Sequence, residues 1–515
     1  MKKFLALLLT ACLLLSGCSI GRGGEYIPTG DALVGSDLTD TRPPEEKPEQ
    51  VLDLVYYPQL SLNPLKSDNY VNKMVLSLVH MGLFGVDENY EAVPLLCGSY
   101  AVSEDLMTYY FYLAPGATFS DGTAVTMNDV YASYQVAQET EMYRNRFYHF
   151  SDISVNEAGA LVVQLDTAFE NLPILMDIPI IKASEVDSDR PLGAGPYFFE
   201  NSISGLQLRR RSNWWCESED LAAAATSVSL TVAESPSQIR NEFQFADVDL
   251  VVADPGSDFY ADYRGDFELW DMESGMFLYL GFNFNEDRVF SKASLRSQLT
   301  YMIDRETIAE KYYHGFGLAA TLPASPNSPF YNRNLASKYV YEPEKMKAAV
   351  INGGLVGTEV KFLVNADDSL RLRVANFIKA ELEDLGFKVT MIESTAYEYQ
   401  YYLNMQDYDL YLAQTKLSAN MDLSQFFYLY APLCYGNAEN EAAYALCEDA
   451  LANQGSYFNL HKKVMDEGLI CPILFHSYAV YATRGTVTDL APGRDNVFFY
   501  TIGKSLMDIQ VPLDE

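Results

Sequence analysis

The stretch from residue 359 to residue 392 constrains the fold more than any other part of the sequence. EVKFLV (359–364) is a short apolar run typical of a strand, and FKVTMI (387–392) alternates apolar and polar residues as a second strand would. Between them lies an apolar stripe at helical spacing, followed by Gly386, a residue type that commonly ends a helix. The stripe consists of Leu370, Val374, Phe377, Ile378 and Leu385. Two strands joined through a helix by short connections predict a right-handed parallel βαβ unit and therefore an α/β fold.

Other segments have equally clear local patterns. Strands are predicted at QVLDLVYY (50–57), TYYFYL (108–113) and YDLYLA (408–413). The apolar spacing of residues 72–83 predicts a helix. A second helix should begin after Thr126, because Thr126 and Asp129 have the spacing of a capping box. At roughly 150 residues per domain, a chain of 515 residues is expected to form more than one domain.

The first residues have the organisation of an export signal. Two lysines precede an apolar run at residues 4–15, which is shorter than the roughly 20 apolar residues of a membrane-spanning helix. The run ends in LSGC (15–18), which resembles the lipobox of bacterial lipoproteins. We therefore expect a signal peptide at residues 1–17, a lipid on Cys18 and anchoring to the cell membrane on its extracytoplasmic face, the periplasm in a diderm host. An ordinary secretory signal with a chance cysteine is the alternative.

The charge balance excludes one class of partner. The chain contains 36 basic and 70 acidic residues and has a net charge of −34. Such a surface repels phosphate backbones, so nucleic-acid binding is not expected. We interpret the acidity as a contribution to solubility.

The cysteines do not form a disulfide framework in this interpretation. Beyond Cys18 their number is odd and the chain is large: they are Cys97, Cys216, Cys434, Cys447 and Cys471. Cys434 and Cys447 either pair across a loop or are free thiols like the others. Without a Cys-x-x-Cys motif, a structural zinc site is not expected.

Motifs for catalysis are missing from the sequence. It contains no His-Glu-x-x-His, no Gly-x-Ser-x-Gly, no Ser-x-x-Lys and no P-loop. The five histidines are spread along the chain, so a histidine-rich metal site is not expected either. We predict no cofactor and no catalytic residue. The alternative is a secreted hydrolase whose carboxylate pair is hidden among the 70 acidic residues.

Several segments together resemble one protein family. TFSDGTAVTMNDVYASYQVA (118–137) is similar to the Phe-Ser-Asp-Gly-Thr and Asp-Val signature of bacterial extracellular solute-binding proteins of family 5, the oligopeptide-, dipeptide- and nickel-binding lipoproteins of ABC importers. Further similar segments follow the family's order: SLNPLKSDN (61–69), LVHMGLF (78–84), GAGPYFF (193–199), YLGFNFN (279–285), LRSQLTYMIDRETI (295–308) and YEPEKMKAAV (341–350).

The resemblance implies a periplasmic-binding-protein-like class II fold, in which two α/β lobes are joined by a hinge and one lobe carries a smaller inserted domain. The expected division is lobe I at 50–86, 183–278 and 480–515, the inserted domain at 87–182, and lobe II at 279–479. Residues 18–49 are rich in Gly, Pro and acidic residues, which predicts a flexible linker after the lipidated cysteine.

The resemblance also implies a function. The protein would be a monomeric solute-binding component that captures oligopeptides by hinge closure and delivers them to ABC permease and ATPase subunits. The alternatives are a non-peptide solute, such as a sugar or a metal chelate, and a peptide-sensing receptor of the same fold.

The first candidate for ligand binding is the loop that follows YDLYLA, because open α/β sheets bind ligands at the carboxyl ends of their strands. In peptide-binding relatives this loop carries an aspartate that pairs with the peptide's ammonium group. Here Ala419 or Asn420 falls at that position, and Asp422 follows soon after. Asn420 and Asp422 are therefore candidates. The alternative for Asp422 is a helix cap before residues 423–427.

Five further residues are candidates with a structural alternative each. Tyr57 and Asn63 flank the end of the first predicted strand. Trp214 and Trp215 match an aromatic segment of the family, where packing is the alternative. Asn283 lies just past the expected crossing between lobes, where it either orders the hinge or faces the cleft.

Overall fold

The structure is a computed structural model that describes residues 51–216, 225–245, 247–257, 260, 263–487, 490 and 492–497. The expected signal peptide, Cys18, the linker at 18–49 and the last residues of the expected lobe I lie outside the described residues.

The strands occur throughout the described chain, and their bounds define three sheets and a short hairpin. They are β1 (Val51–Tyr56), β2 (Phe84–Val86), β3 (Ala92–Pro94), β4 (Cys97–Val102), β5 (Thr108–Leu113), β6 (Phe150–Val155), β7 (Leu161–Leu165), β8 (Tyr197–Ser202), β9 (Gly205–Arg210), β10 (Ser227–Val232), β11 (Leu250–Ala253), β12 (Phe267–Phe282), β13 (Gly317–Ala319), β14 (Glu359–Asn365), β15 (Lys388–Ser394), β16 (Leu410–Lys416) and β17 (Cys471–Thr483). The hairpin is formed by β2 and β3.

The α-helices cover the faces and ends of these sheets. They are α1 (Tyr70–Ser77), α2 (Met127–Glu139), α3 (Pro236–Gln244), α4 (Ala293–Leu299), α5 (Arg305–Tyr312), α6 (Arg333–Ala336), α7 (Pro343–Asn352), α8 (Ser369–Asp384), α9 (Ala396–Met405), α10 (Ser424–Phe427), α11 (Glu441–Ala452) and α12 (Tyr457–Glu467).

The N-terminal sheet has the strand order β1-β10-β9-β8. Strand β1 runs parallel to β10, whereas β9 is antiparallel to both of its neighbours. Leu52, Leu54 and Val228 of this sheet are buried against Met74 and Val75 of α1 in one apolar cluster. The predicted first strand is thus confirmed, because its alternate side chains cover the helix.

The small sheet has the antiparallel order β4-β5-β7-β6 and is drawn entirely from residues 97–165. Strand β5 has the predicted bounds, and its Tyr109 and Phe111 are buried. Helix α2 begins at the predicted capping box, where the Asp129 carboxylate accepts the backbone N–H of Thr126 at 2.8 Å. The expected inserted domain at 87–182 contains this whole sheet.

The large sheet has the order β11-β17-β12-β16-β14-β15, and β13 pairs with β17. Its β14, α8 and β15 form the predicted βαβ unit, with β14 and β15 parallel. The predicted helical stripe is buried or half-buried under the sheet together with Val360 and Phe362. Helix α8 ends at Asp384 with Leu385 as its C-cap, and the next residue, Gly386, has a φ of 103°, as predicted for a residue just past a helix.

Strands β12 and β17 are unusually long and pair with each other over most of their length. Their register shifts between Glu273 and Met276, and Gly275 in the shift has a φ of 71°. On one side of this shift the strands pack with the N-terminal sheet, and on the other side they pack with β14 and α8. The expected crossings between lobes, at 278/279 and 479/480, fall within these two strands, and the lobe boundaries themselves stay a prediction.

The helix predicted at residues 72–83 is wrong in its extent, because α1 ends at Ser77. Beyond that point the backbone carbonyls accept hydrogen bonds from distant segments. The carbonyl of Leu78 accepts the N–H of Tyr197, that of Val79 accepts Gly195, and that of Met81 accepts Ile180. These long-range bonds replace the next helical turn, and local apolar spacing does not reveal them.

Candidate ligand-binding site

A cavity of about 1170 Å³, partly open to solvent, lies where distant segments of the chain converge. This volume includes space that is open to solvent. Apolar side chains such as Leu76, Met81 and Phe84 form part of the wall. Further lining residues are Met142, Tyr143, Arg146, Asp177, Trp214, Lys416 at the end of β16, Arg494, Asp495 and Asn496.

Arg146 and Asp177 form a bidentate ion pair in this cavity. The Nε atom of Arg146 is 2.6 Å from Oδ1 of Asp177, and Nη2 is 2.8 Å from Oδ2. Burial opposes the charge of Arg146, but the Asp177 carboxylate outweighs it and raises the pKa of the guanidinium. The two side chains therefore satisfy each other.

A second group of charges joins β16 to the C-terminal segment. The ammonium group of Lys416 bonds to Oδ2 of Asp495, and Nη2 of Arg494 donates to the carbonyl of Leu417. The guanidinium of Arg494 fills the space beside Gly275, where any Cβ would overlap it. Burial lowers the pKa of Lys416 to about 7, although Asp495 opposes the shift.

Lys73 of α1 completes the charged lining. Its Nζ lies 5.2 Å from the ring centroid of Tyr70. Within the described part of the chain it has no carboxylate oxygen within 4.0 Å. Burial lowers the pKa of Lys73, and the nearby charge of Asp495 only partly opposes this shift.

Glu273 lies beside the cavity at the register shift of β12 and ties distant segments together. Its carboxylate accepts hydrogen bonds from the hydroxyls of Tyr90 at 2.5 Å and Ser325 at 2.7 Å, and from the Asn327 amide at 2.7 Å. Its carbonyl accepts the backbone N–H of Asp495 at 2.9 Å. Three distant segments, around residues 90, 325–327 and 495, are therefore held at one residue of the long strand.

The two predicted tryptophans share one acceptor. Trp214 and Trp215 both donate their indole N–H to the carbonyl of Ala194, at 3.0 and 3.2 Å. Trp214 is buried and also lines the cavity. Packing and cavity lining thus coexist at Trp214, and its contact with a ligand stays a prediction.

Asn63 and Asn283 use their amides to hold backbone. The Asn63 Nδ2 donates to the carbonyls of Val186 and Ser188, and its Oδ1 accepts the N–H of Leu65. The Asn283 Nδ2 donates to the carbonyls of residues 406 and 408, and its Oδ1 accepts the N–H of residue 285. Both side chains are fully buried. Of the alternatives given for Asn283, this geometry corresponds to ordering the chain where β12 ends.

The side chain of Asp422 is buried against His149, which directly precedes β6 of the small sheet. Its Oδ2 is 3.2 Å from Nε2 of His149, whose Nδ1 is 3.0 Å from Oδ1 of Asp166. Its Oδ1 accepts the N–H of Ser424 at 2.9 Å, at the start of α10. Asn420 accepts the Asp422 N–H at 3.4 Å through its side chain. The N-cap position of α10 is Leu423 and no side chain caps it, so the predicted cap by Asp422 is wrong. Asp422 instead bonds to the first helical residue and forms an ion pair with a residue 273 positions earlier in the chain.

This ion pair perturbs both partners. Burial alone would lower the pKa of His149, but its bonds to Asp166 and Asp422 outweigh burial and raise the pKa to about 9. Burial opposes the ionised form of Asp422, but the hydrogen bond from His149 lowers its pKa. A charged histidine between two carboxylates therefore joins the end of the small sheet to the loop after β16.

Tyr57 lies elsewhere. It lines a second cavity of about 740 Å³ with Tyr260, Tyr263 and Arg240, and this cavity shares no lining residue with the first. The candidates are therefore spread over several places. Trp214 lines the first cavity and Tyr57 lines the second, whereas Asn63 and Asn283 are buried and hold the backbone of loops through hydrogen bonds.

The sequence patterns did not identify the charged residues of the cavity as candidates. Lys416 lies three residues beyond the predicted strand YDLYLA and is the last residue of β16, so the strand-end rule indicates this region but not this residue. Arg146, Lys73 and Arg494 have no motif that distinguishes them from the other basic residues.

In the ranges described above, no three or more His, Cys, Asp or Glu side chains cluster as a metal site would. The thiols of Cys97, Cys216, Cys434, Cys447 and Cys471 are free, so Cys434 and Cys447 do not pair. A search for membrane spans among the described helices found none with sufficient length and apolar character.

The family model for bacterial extracellular solute-binding proteins, family 5 Middle, matches residues 91–437. The chain belongs to this family. It is 21% identical over 345 residues to the glutathione-binding protein GsiB of Salmonella paratyphi A, a match that covers 64% of this chain and 66% of that relative. The chain thus spans slightly less than two thirds of the length of the curated relatives it matches.

Solved structures of other members show the same fold. The substrate-binding protein CtaP of Listeria monocytogenes superposes with a TM-score of 0.71 at 18% identity, over 89% of this chain and 99% of CtaP. The oligopeptide-binding protein AppA of Bacillus subtilis, solved with a nonapeptide, has a TM-score of 0.62 at 19% identity, over 90% and 100% of the two chains. The predicted class II fold with two α/β lobes is therefore confirmed.

Proposed function

We propose that this solute-binding protein is the capture component of an ABC importer and that it binds oligopeptides between its lobes. The observation that carries the proposal is the cavity lined by Lys73, Trp214, Lys416 and Arg494, since these residues come from segments far apart in the chain. A ligand that contacts all of them stabilises the closed arrangement over an open one. The closed protein then docks on its permease.

The register shift at Glu273 and Gly275 supports a hinge at this position. It lies where the long strands leave one apolar cluster and enter another. AppA was solved with a bound nonapeptide, and GsiB is named as a glutathione-binding protein. Peptides are therefore the first ligands to test. The alternative ligand is a non-peptide solute, such as a sugar or a metal chelate, that binds in the same cavity.

A native mass spectrum of the purified chain tests the ligand. We expect adducts spread over peptide masses, because a closed binding protein retains ligand during purification. A single adduct with a non-peptide mass would assign another solute class. A bare protein that also fails to bind any member of a peptide mixture would contradict peptide capture.

We also propose that a lipid on Cys18 holds the protein at the outer face of the cytoplasmic membrane. Cell fractionation tests this with the Cys18→Ser variant, since a serine hydroxyl cannot form the thioether. Wild-type protein should sediment with membranes and the variant should not. Equal sedimentation of both would remove the lipid anchor from the proposal.

A further inference from the structure

The cavity has the opposite sign of charge to the protein around it. Its lining contains four cationic side chains, Lys73, Arg146, Lys416 and Arg494, and two carboxylates, Asp177 and Asp495. The chain as a whole has a net charge of −34. Because basic residues are outnumbered almost two to one overall, this local excess of cations is a property of the site and not of the composition.

The two carboxylates do not compensate the four cations evenly. Asp177 is occupied by both donor atoms of Arg146. That leaves Asp495 as the one lining carboxylate near Lys416, Arg494 and Lys73, and its bond goes to Lys416. Arg494 donates to the neutral carbonyl of Leu417, and its Nε has no hydrogen-bond partner among the described residues. Within the lining, with all four cations protonated, two positive charges are therefore left over; the charge of Asp68, outside the lining, also acts on Lys73 and favours its charged form.

The excess cations also act on each other. Burial is the main cause of the lowered pKa of Lys416, and the charges of Lys73 and Arg494 lower it further. Burying like charges together without counter-ions is unfavourable. A negatively charged group in the cavity would relieve this repulsion, whereas an ammonium group would add to it and would find both carboxylates already occupied.

We propose that the cavity selects acidic peptides, with a ligand carboxylate lying between Lys73 and Lys416. This inference rests on the proposed function as a peptide-binding protein and adds the charge of the ligand to it. Trp214 and the apolar wall would cover the remainder of the peptide. Asp495 then competes with the ligand for Lys416, so that the C-terminal segment holds the cation in place before the ligand arrives.

The test compares three tripeptides of equal length on the purified full chain by isothermal titration calorimetry. The probes are triglutamate, trialanine and trilysine. We expect triglutamate to bind at least about tenfold more tightly than trialanine, because bonds to a charged group contribute that much affinity. Trilysine should not bind, and the affinity for triglutamate should fall as salt is added.

Variants locate the effect. Lys73→Met and Lys416→Met preserve side-chain length and remove the charge, and each should weaken triglutamate binding about tenfold or more. Lys347→Met is the matched control, because Lys347 is a surface lysine of α7 whose side chain is 46% exposed. Its affinity should equal that of the wild type. Circular dichroism establishes that each variant is folded.

The outcomes separate this inference from the function beneath it. If trialanine or trilysine binds as tightly as triglutamate, the preference for acidic ligands is overturned and peptide binding stands. If none of the three peptides binds, peptide binding and the charge preference are both overturned. Should a lysine variant fail to fold, the ranking of the three peptides on the wild-type chain and its salt dependence still decide the matter.

Discussion

The His149 ion pair makes a quantitative prediction about stability and pH. His149 is buried between Asp422 and Asp166, and its pKa rises from 6.5 to about 9. At about 1.4 kcal/mol per pKa unit, the charged form stabilises the folded chain by about 3.5 kcal/mol at most. The Asp166 side chain is 56% exposed, so water screens part of this interaction and we expect about 2 kcal/mol.

The sign follows from linkage between protonation and folding. The folded chain holds the His149 proton more tightly than the unfolded chain, because the folded pKa is the higher one. The stabilisation is fully present below the unfolded pKa of 6.5 and is lost as the pH rises through about 9. Unfolding free energy should therefore fall between about pH 7 and pH 10 by this contribution.

Urea denaturation of the wild type and of His149→Gln, measured across this pH range, provides the assay. Glutamine removes the titrating ring and cannot carry the charge. The difference in unfolding free energy between the two proteins should be about 2 kcal/mol near pH 6 and should shrink towards pH 10. Subtracting one protein from the other cancels the titration of other groups, such as Lys416.

His314→Asn is the control. His314 is exposed and has a φ of 54°, a conformation that asparagine tolerates. This variant should not change the pH dependence. A His149→Gln protein whose deficit is the same at every pH would refute the charged ion pair and leave only a packing role for the histidine.

Three further substitutions test the buried polar groups. Glu273→Gln should lower the unfolding free energy by about 2 kcal/mol, because it places an amide donor against groups that donate hydrogen bonds to the carboxylate. Glu344→Gln, at an exposed position, is the control, and equal denaturation midpoints for the Glu273 and Glu344 variants would show that the Glu273 hydrogen bonds do not stabilise the fold. Burial raises the pKa of Glu381 to about 8, so ionisation of this carboxyl group opposes folding from pH 4.5 upwards. Glu381→Gln should therefore stabilise the chain by about 2 kcal/mol above pH 8, and an unchanged melting temperature of the variant at pH 9 would refute this. Asn283→Ala should lower the unfolding free energy of the ligand-free chain by about 2 kcal/mol, because it leaves two backbone carbonyls without a hydrogen-bond donor. A variant with altered ligand affinity but unaltered thermal stability would instead favour a role for Asn283 in the cleft.

The parts of the fold that the sequence predicts are those fixed by neighbours in the chain. The βαβ unit follows from a stripe at helical spacing between two apolar runs, and Thr126 and Asp129 lie within one helical turn. The helix after Asn69 is predicted too long for the opposite reason. Its end is set by Gly195 and Tyr197, which are more than 100 positions away and bond the carbonyls of residues 78 and 79.

Site residues depend even more on distant partners. Asn63 and Asn283 both lie close to a strand end, where a free amide would bind ligand, but backbone carbonyls from remote loops occupy each amide. Asp422 meets His149 in the same way. By contrast, Lys416 is the last residue of β16, three residues beyond the end of the strand predicted at 408–413, and its importance depends on Asp495, 79 positions later. The sequence alone indicates this part of the chain, but only the folded structure shows that Asp495 bonds to Lys416.

The acidity of the chain and the positive charge of its cavity act on a ligand at different distances. At physiological ionic strength, charges are screened beyond about 8 Å in water, so the net charge of −34 repels an acidic peptide only weakly until it reaches the surface. Inside the cavity, Lys73 and Lys416 are half-buried, and the effective dielectric there is lower than in water, so a contact is stronger. In this proposal, selectivity for charge is therefore decided by a few half-buried side chains of the cavity, and the composition of the surface does not determine the sign of the ligand's charge.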